Sequence, residues 1–563
     1  MKLYSSLFLT SLCLPGALSR FLGPVYPPPR DLTSSDSLVA AAWKNVTRQL
    51  EQFAHVNGTS GLNDLTFSQV DGDSIYRIAS VSKLFTVFAG KIELSLEDWE
   101  TPLSKIFPEF AAFMREKSDD TLDPVYDTQW DEITPFALAS QMAGIAQDAS
   151  PAYSDWITLA AFGYAEPGQV EAKWGFPPVD RSDPAVWAPC STLEGFEGKC
   201  SLENYTLGAA TNPPVALPWT VPEYSNNAFT LLGQAIANLT GKSIDDVYQD
   251  SIFDPLDMAS SYSVVPPKSE YSRSVFAGNE ESGFTTDNGL TKSSGGIYST
   301  LNDMAKFSTG LLNSTLLSPH ETNRWMKPVT HTSDLHYAIG APWEIYRYED
   351  PKTGHVTDIY TKLGDSGNYG AIALFIPDYD AGFNVIAAST SVLRDAKMKL
   401  VIQGVIDAIL PALTQQGAKE LACKYAGTYV STNKSLNSSI TFVPSKNGTQ
   451  GLRISSFVSN GTDITSSLNS AGGFIESDPY ALRPVIRTPG KIAFRPATVP
   501  KSPVLPRNPS NLFTSFYDAD QFPYLGKLTY ASQLVNEFVF ELGENGEVVA
   551  VTPSAWRVRL EKK

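Results

Sequence analysis

The sequence predicts an α/β protein in two parts, a mixed region of helices and strands followed by an all-β region. Three observations carry this. Apolar residues recur at helical spacing in several segments before about residue 412. Two extended apolar runs, Ala371 to Ile376 and Phe383 to Ala388, flank a turn made by Pro377-Asp378-Tyr379-Asp380-Ala381-Gly382. Beyond about residue 416 helical periodicity gives way to short alternating strands rich in Ser, Thr, Asn and Val.

Leu38 to Phe53 reads as an amphipathic helix and Val81 to Leu94 as a mostly buried one. Phe229 to Leu239, Asp303 to Leu312 and a closing segment Met398 to Leu410 are further helices. In the later region Ile440 to Val443 and Leu452 to Ile454 flank Asn447-Gly448. Glu537 to Leu542 and Glu547 to Val551 flank Asn545-Gly546, and both patterns are hairpin signals. The expectation there is a small barrel or sandwich. The organisation expected is residues 1–19 as a secretory leader, 20–415 as the mixed domain and 416–563 as the β-rich domain.

The leader is read from Met1-Lys2, an apolar run from Leu3 to Leu14, and the small residues of Ala17-Leu18-Ser19. Nine sequons agree with passage through a secretory pathway: Asn45, Asn57, Asn204, Asn238, Asn313, Asn433, Asn437, Asn447 and Asn460. The expectation is a secreted glycoprotein with no membrane anchor, since no later run of about 18 apolar residues exists. A net charge of −17 argues against nucleic acid or an anionic membrane as partner. Cys190 and Cys200 are expected to form a disulfide within an aromatic loop bearing Trp174, Phe176, Trp187 and Phe196, a segment expected to border the substrate cleft. Cys423 is then left over, and is expected to be buried and inert. The five histidines make no ligand pair at helical spacing, so neither metal nor other cofactor is expected.

Chemistry enters through three short patterns. In Ser80-Val81-Ser82-Lys83 the hydroxyl and the ammonium lie one helical turn apart, near a helix N-terminus that favours developing negative charge. In Tyr224-Ser225-Asn226, a phenol with two ammonium neighbours could ionise below its ordinary pKa near ~10 and take the serine proton. Lys362-Leu363-Gly364 stands at the head of a strand, where a lysine can face a cleft and a glycine lets substrate approach the backbone. Each pattern alone is commonplace. Together, in this order and about 140 residues apart, they specify an acylating serine site.

With these motifs the chain resembles the serine β-lactamase-like superfamily of class C β-lactamases, D,D-peptidases and related esterases, in the form of a fungal secreted relative. Further similar segments are Leu94 to Phe110, Ile133 to Ile145, Tyr224 to Gly241, Asp254 to Met258 and Gly295 to Thr300. The resemblance covers about residues 35 to 412. It implies an antiparallel sheet flanked by helices, with a helical subdomain, and leaves the C-terminal all-β domain as an accessory. It also implies Ser80 as the acylated nucleophile, Lys83 as its proton partner, Tyr224 as general base and Lys362 as the third-motif lysine. Asn226 and Gly364 would contact substrate. Asp365 would share the oxyanion hole, through its N–H, with Ser80.

The pattern departs from the family where Leu363 replaces the usual hydroxyl residue and where Asp365 adds a negative charge. Both argue against anionic β-lactams and for a neutral ester or amide. Gln141 and Met142 also stand where the family segment has His and Thr. The function expected is hydrolysis of a small-molecule ester or amide through a Ser80 acyl-enzyme. Two alternatives are acyl transfer from the same site and a non-catalytic binding protein on the same scaffold. Lys352-Thr353-Gly354 spells the usual third motif, yet Pro351 and Gly354 bracket a turn there, so Lys362 is preferred. Gly364-Asp365-Ser366-Gly367 imitates the trypsin-like nucleophile signature, but the chain has no accompanying Ala-Ala-His-Cys segment.

Overall fold

The structure is a computed structural model. It describes residues 23–57, 70–117, 121–148, 175, 200–278, 282–351, 355–445, 451–465, 467, 481–497 and 529–563. The chain divides into two compact units. One is Leu50–Arg347 with Asp358–Gly404, the other Met1–Gln49, Tyr348–Thr357 and Val405–Lys563.

The first unit is the mixed one. A small ladder pairs β1 (Tyr76–Arg77) with β2 (Tyr298–Ser299). The main sheet has six strands in sequence order: β3 (Thr330–His331), β4 (Tyr337–Ile339), β5 (Glu344–Glu349), β6 (Val356–Ser366), β7 (Tyr369–Ile376) and β8 (Ala381–Ala388). The β6–β7 and β7–β8 pairs are antiparallel, with Gly364 opposite Ala371 and Leu374 opposite Phe383. Every residue of β7 is buried, which is why its sequence reads as one unbroken apolar run.

The first-motif helix, Ser82–Glu93, is buried from Ser82 to Gly90, so it carries no polar face. Phe85 stacks on Phe307 at 4.2 Å between centroids, and Phe88 on Trp325 at 5.3 Å. Helix Asn226–Thr240 begins where the Ser225 hydroxyl accepts the Ala228 N–H, and ends at Gly241 with φ +69°, a left-handed cap glycine tolerates. Helix Leu301–Leu312 is capped in the same way by Thr300. The fold is thus the expected antiparallel sheet with helices.

The second unit contains β9 (Gly427–Ser431), β10 (Ser439–Pro444), β11 (Leu452–Ser459), β12 (Thr462–Asp463), β13 (Ala481–Thr488) and β14 (Lys491–Ala497). A separate pair, β15 (Thr529–Tyr530) and β16 (Gln533–Leu534), precedes β17 (Phe538–Leu542), β18 (Val548–Pro553) and β19 (Leu560–Lys562). The sheet order is β10-β9-β19-β18-β17-β14-β13-β11-β12, and β10 also pairs with β11. That extra pairing joins the two sides of the sheet into a barrel, in which β11 meets β13 at Leu452 and the short β12 at Val458 and Ser459. Tyr429, Phe442, Phe494, Phe538 and Phe540 fill the interior with edge-to-face and tilted contacts.

Two expectations need correction. Helical structure does not stop near 416: one helix runs over Arg394–Lys424, through Pro411. Its apolar residues are spread around the axis, so no single stripe marks its later turns in the sequence. Cys423, expected buried, is exposed on the last turn of that helix. Cys190, Trp174, Phe176, Trp187, Phe196, Asn447 and the leader lie outside the described residues. Of the other sequon asparagines, Asn45, Asn238, Asn313, Asn433, Asn437 and Asn460 are exposed and Asn204 is half-buried, while the side chain of Asn57 lies outside the description. Among the described residues no helix is long and apolar enough to cross a membrane.

Candidate active site

Ser80 occupies the middle of a 3-10 turn, Ala79–Val81, that runs directly into helix Ser82–Glu93. Ala79 has φ +48°, a left-handed conformation that costs a non-glycine residue about 1–2 kcal/mol. The turn is held by Ser82, whose hydroxyl donates to the Ala79 carbonyl at 2.6 Å and accepts the Ile297 N–H at 3.0 Å. Gly364 on β6 lies against the same turn. A Cβ there would fall 2.5 Å from the Ile78 carbonyl oxygen and 2.9 Å from the Ser80 nitrogen, inside van der Waals contact with rigid backbone. Gly364→Ala is therefore expected to prise strand and turn apart. Activity falls at least ~10-fold and stability by about 1–3 kcal/mol, as overpacking does. Paired kinetic and thermal-melt measurements check this, and wild-type values in both would contradict the close approach.

Two functional side chains meet at the Ser80 hydroxyl. Lys83 Nζ donates to Ser80 Oγ at 2.9 Å, and the Tyr224 hydroxyl donates to the same oxygen at 2.8 Å. Lys83 also donates to Asn226 Oδ1 at 2.7 Å and to the Ser294 carbonyl at 2.6 Å. Both Lys83 Nζ and Lys362 Nζ lie 5.1 Å from the Tyr224 ring centroid. The electrostatics follow from this crowding. Burial pushes the Lys83 ammonium down to about 8, the Lys362 charge adds to the fall, and Tyr224 opposes it. Burial alone would raise the Tyr224 phenol, but the two ammonium groups and the hydrogen bond to Ser80 outweigh it and hold the phenol below its ordinary value.

The second motif is seated on the segment from Gln141 to Asp148. Gln141 (φ +61°) accepts the Glu223 N–H on its main-chain carbonyl at 2.9 Å and the Ser225 N–H on its side-chain oxygen at 2.8 Å. One residue thus brackets Tyr224 from both sides. The Gln147 carbonyl accepts the Asn226 and Asn227 N–H groups at 2.7 and 3.0 Å, and Ser225 Oγ donates to the Ala146 carbonyl at 2.8 Å. Asp148 accepts from Asn226 Nδ2 at 3.1 Å, so the Asn226 amide has its oxygen on Lys83 and one N–H on a carboxylate. The departure at Gln141 is here a hydrogen-bonding part of the motif's support.

On β6, Lys362 is 2 % exposed and forms an ion pair of 2.5 Å with Glu344 on the neighbouring β5. Leu363 follows it, and Asp365 pairs with Arg394 rather than standing as an isolated charge. Arg394 also donates to the Gly367 carbonyl and, at 2.9 Å, to Asp395. Lys352, the alternative third-motif lysine, lies outside the described residues. Glu344, Asp148 and Arg394 escaped the sequence reading. Their motif partners are 18, 78 and 29 residues away, and strand register and loop path, not local pattern, bring them together.

Ser80, Tyr224, Asn226, Lys362, Gly364 and Asp365 line one open cleft of about 390 Å3, of a size that takes a small organic molecule. Among the described residues no group of three or more His, Cys, Asp or Glu side chains converges as metal ligands would.

Comparison with known proteins then decides the family. The Beta-lactamase family profile matches residues 37–403, about two thirds of the chain. The chain belongs to the Beta-lactamase family. A second profile, described as "Beta-lactamase-like-like, C-terminal domain", matches residues 417–563. This family member is 30% identical over 420 residues to a "Beta-lactamase-like protein" of Arthroderma benhamiae, covering 73% of this chain and 64% of that one. It is 27% identical over 405 residues to "Probable hydrolase clz13" of Cochliobolus lunatus, covering 70% and 62%. The chain therefore spans a little under two thirds of the length of these two relatives. A penicillin binding protein from Bacillus halodurans is similar at 19% identity and TM-score 0.41, covering 60% of this chain and 90% of that one. Two of the fungal relatives, those of Cochliobolus lunatus and Phoma sp., carry the name "Probable hydrolase".

Proposed function

We propose that this Beta-lactamase family chain hydrolyses a neutral ester or amide through a covalent acyl-enzyme on Ser80. The observation that carries the reading is the Ser80 hydroxyl held between Lys83 at 2.9 Å and Tyr224 at 2.8 Å at the edge of an open cleft. In this scheme Tyr224, ionised with the help of two ammonium groups, removes the Ser80 proton as Oγ attacks the substrate carbonyl carbon. The carbonyl oxygen becomes an oxyanion facing the N–H groups of Ser80 and Asp365. Collapse breaks the bond to the leaving group, which takes its proton from Tyr224. Water, deprotonated by Tyr224, then attacks the acyl carbon, and as the ester bond breaks Tyr224 returns that proton to Ser80 Oγ.

A neutral substrate is favoured because two cations at the third motif, Lys362 and Arg394, already have carboxylate partners. Lys362 is paired with Glu344, Arg394 with Asp365 and Asp395, and Leu363 offers no hydroxyl. Small neutral aryl esters are therefore expected to be turned over at least ~10-fold better than penicillins or carboxylate-bearing analogues, about 1.4 kcal/mol of discrimination. Steady-state kcat/KM on 4-nitrophenyl butyrate, its hemisuccinate counterpart and benzylpenicillin tests this. Equal efficiencies, or a preference for the anions, would overturn the substrate assignment. Adding methanol to the ester assay separates transfer from hydrolysis by the methyl ester formed.

On sequence grounds we also propose secretion after removal of residues 1–19, sugars on the sequon asparagines and a Cys190–Cys200 disulfide. Exposure of six of the sequon asparagines and burial of Cys200 are compatible with that assignment.

A further inference from the structure

We propose that Glu344 is a positioning residue: from β5 it holds Lys362 on β6 as a fixed ammonium aimed at Tyr224, a carboxylate clamp of a kind that the site's other buried lysine, Lys83, does not share. The inference rests on the Ser80 reading and adds a residue from outside the three motifs.

The geometry is that of a clamp. Glu344 Oε1 takes Lys362 Nζ at 2.5 Å while Oε2 accepts the Leu363 N–H at 2.9 Å. The main-chain carbonyl of Glu344 accepts the Thr361 hydroxyl at 2.8 Å, so the carboxylate is fixed at both ends of the side chain. Lys362 gives a second hydrogen bond to the Leu363 carbonyl at 2.8 Å. Two of its donors are thereby held against the strands. The ammonium stands 5.1 Å from the centre of the Tyr224 ring.

Lys83 provides the internal comparison. Both lysines are buried and both face Tyr224, but among the described residues no carboxylate hydrogen-bonds Lys83: its partners there are the Ser80 hydroxyl, the Asn226 amide oxygen and the Ser294 carbonyl. Burial pushes Lys83 down to about 8, whereas burial of Lys362, which also lowers it, is outweighed by the Glu344 charge, the Tyr224 phenol and the hydrogen bonds to both acting together, so Lys362 is raised above its ordinary value. The charged or titratable groups facing Lys362 are Glu344 from β5, Tyr224 from the loop before helix Asn226–Thr240 and Lys83 from helix Ser82–Glu93. Glu344 alone among these supplies a full negative charge in direct contact.

The sign of the consequence is fixed. A lysine whose pKa is raised in the folded protein keeps its proton to higher pH, and without Glu344 the proton leaves earlier. Glu344→Gln retains the shape but removes the charge and leaves one acceptor oxygen where the carboxylate has two. The first measurement is an NMR titration of the Lys362 side chain in full-length protein carrying 13C-labelled lysine, assigned with Lys362→Arg. The expected result is a Lys362 midpoint at least about one unit lower in Glu344→Gln, with Glu344→Asp in between. An unchanged midpoint overturns the proposal, and this readout does not depend on acylation. The second is the rate of Ser80 phosphonylation by a fluorophosphonate against pH. The wild-type to Glu344→Gln ratio is expected to grow with pH by up to about tenfold per unit lost. A ratio independent of pH marks Glu344 as structural only and overturns the proposal. Absence of any wild-type adduct would instead sink the Ser80 reading, leaving the NMR result to judge the clamp.

Discussion

Ser80→Ala is expected to abolish covalent labelling and to lower ester turnover by at least ~1,000-fold, while the melting temperature stays within a few degrees of wild type. The loss is chemical: without Oγ no acyl-enzyme forms, and Lys83 and Tyr224 have no nucleophile to activate. The stability effect is small because Ser80 is only half-buried and the turn around it is held by other groups. These are the Ser82 hydroxyl, the Ile297 N–H and the close approach of Gly364. Steady-state kinetics and a thermal melt on the same sample check both halves. Residual turnover above a few per cent would move the nucleophile elsewhere. A large fall in melting temperature would mean that Ser80 is part of the packing rather than the chemistry.

The second large effect separates two lysines ten residues apart. Lys362→Ala is expected to cost about 100- to 1,000-fold in kcat/KM, the scale seen when one preorganised electrostatic partner is removed from a reaction centre. Lys352→Ala is expected to leave kcat/KM within about twofold. The difference has a pH signature. Tyr224 acts as base above its pKa, and Lys362 is one of the two charges that hold that pKa down. Removing Lys362 therefore raises the Tyr224 pKa and moves the ascending limb of the pH–rate profile to higher pH. Parallel profiles of the two variants between pH 5 and 10 check the assignment. A large penalty at Lys352 with a mild one at Lys362 would reverse the third motif.

What was legible in the sequence was whatever local pattern encodes. The fully buried strand β7 and the helices Leu38–Asn57 and Leu301–Leu312 announce themselves by apolar periodicity. The hairpin β17–β18 announces itself by Asn545-Gly546, where Gly546 takes φ +76°. Ser80, Lys83, Tyr224, Asn226 and Lys362 are all named from short motifs, and the fold brings them together, four lining one cleft and Lys83 buried against Ser80 and Asn226. The rest depended on distance in sequence. Glu344 reaches Lys362 only because β5 and β6 are neighbours in the sheet, and no spacing rule predicts which residue of one strand faces which of the next. Gln141 looked like a loss when set against a family pattern, because its two hydrogen bonds go to a segment more than eighty residues away. Asp365 looked like a bare charge because Arg394 lies at the start of a helix in another part of the chain. That helix was itself read as too short, since its apolar residues follow no single face.

One serine, Ser80, is expected to become covalently acylated. The most direct test is to expose wild-type protein to a fluorophosphonate, measure the intact mass and map the modified peptide. The account predicts one adduct per chain, on the peptide containing Ser80, that is absent in Ser80→Ala and slowed in Lys362→Ala. An adduct on any other residue, or an unmodified chain after exposure sufficient to label a known serine hydrolase, would contradict it.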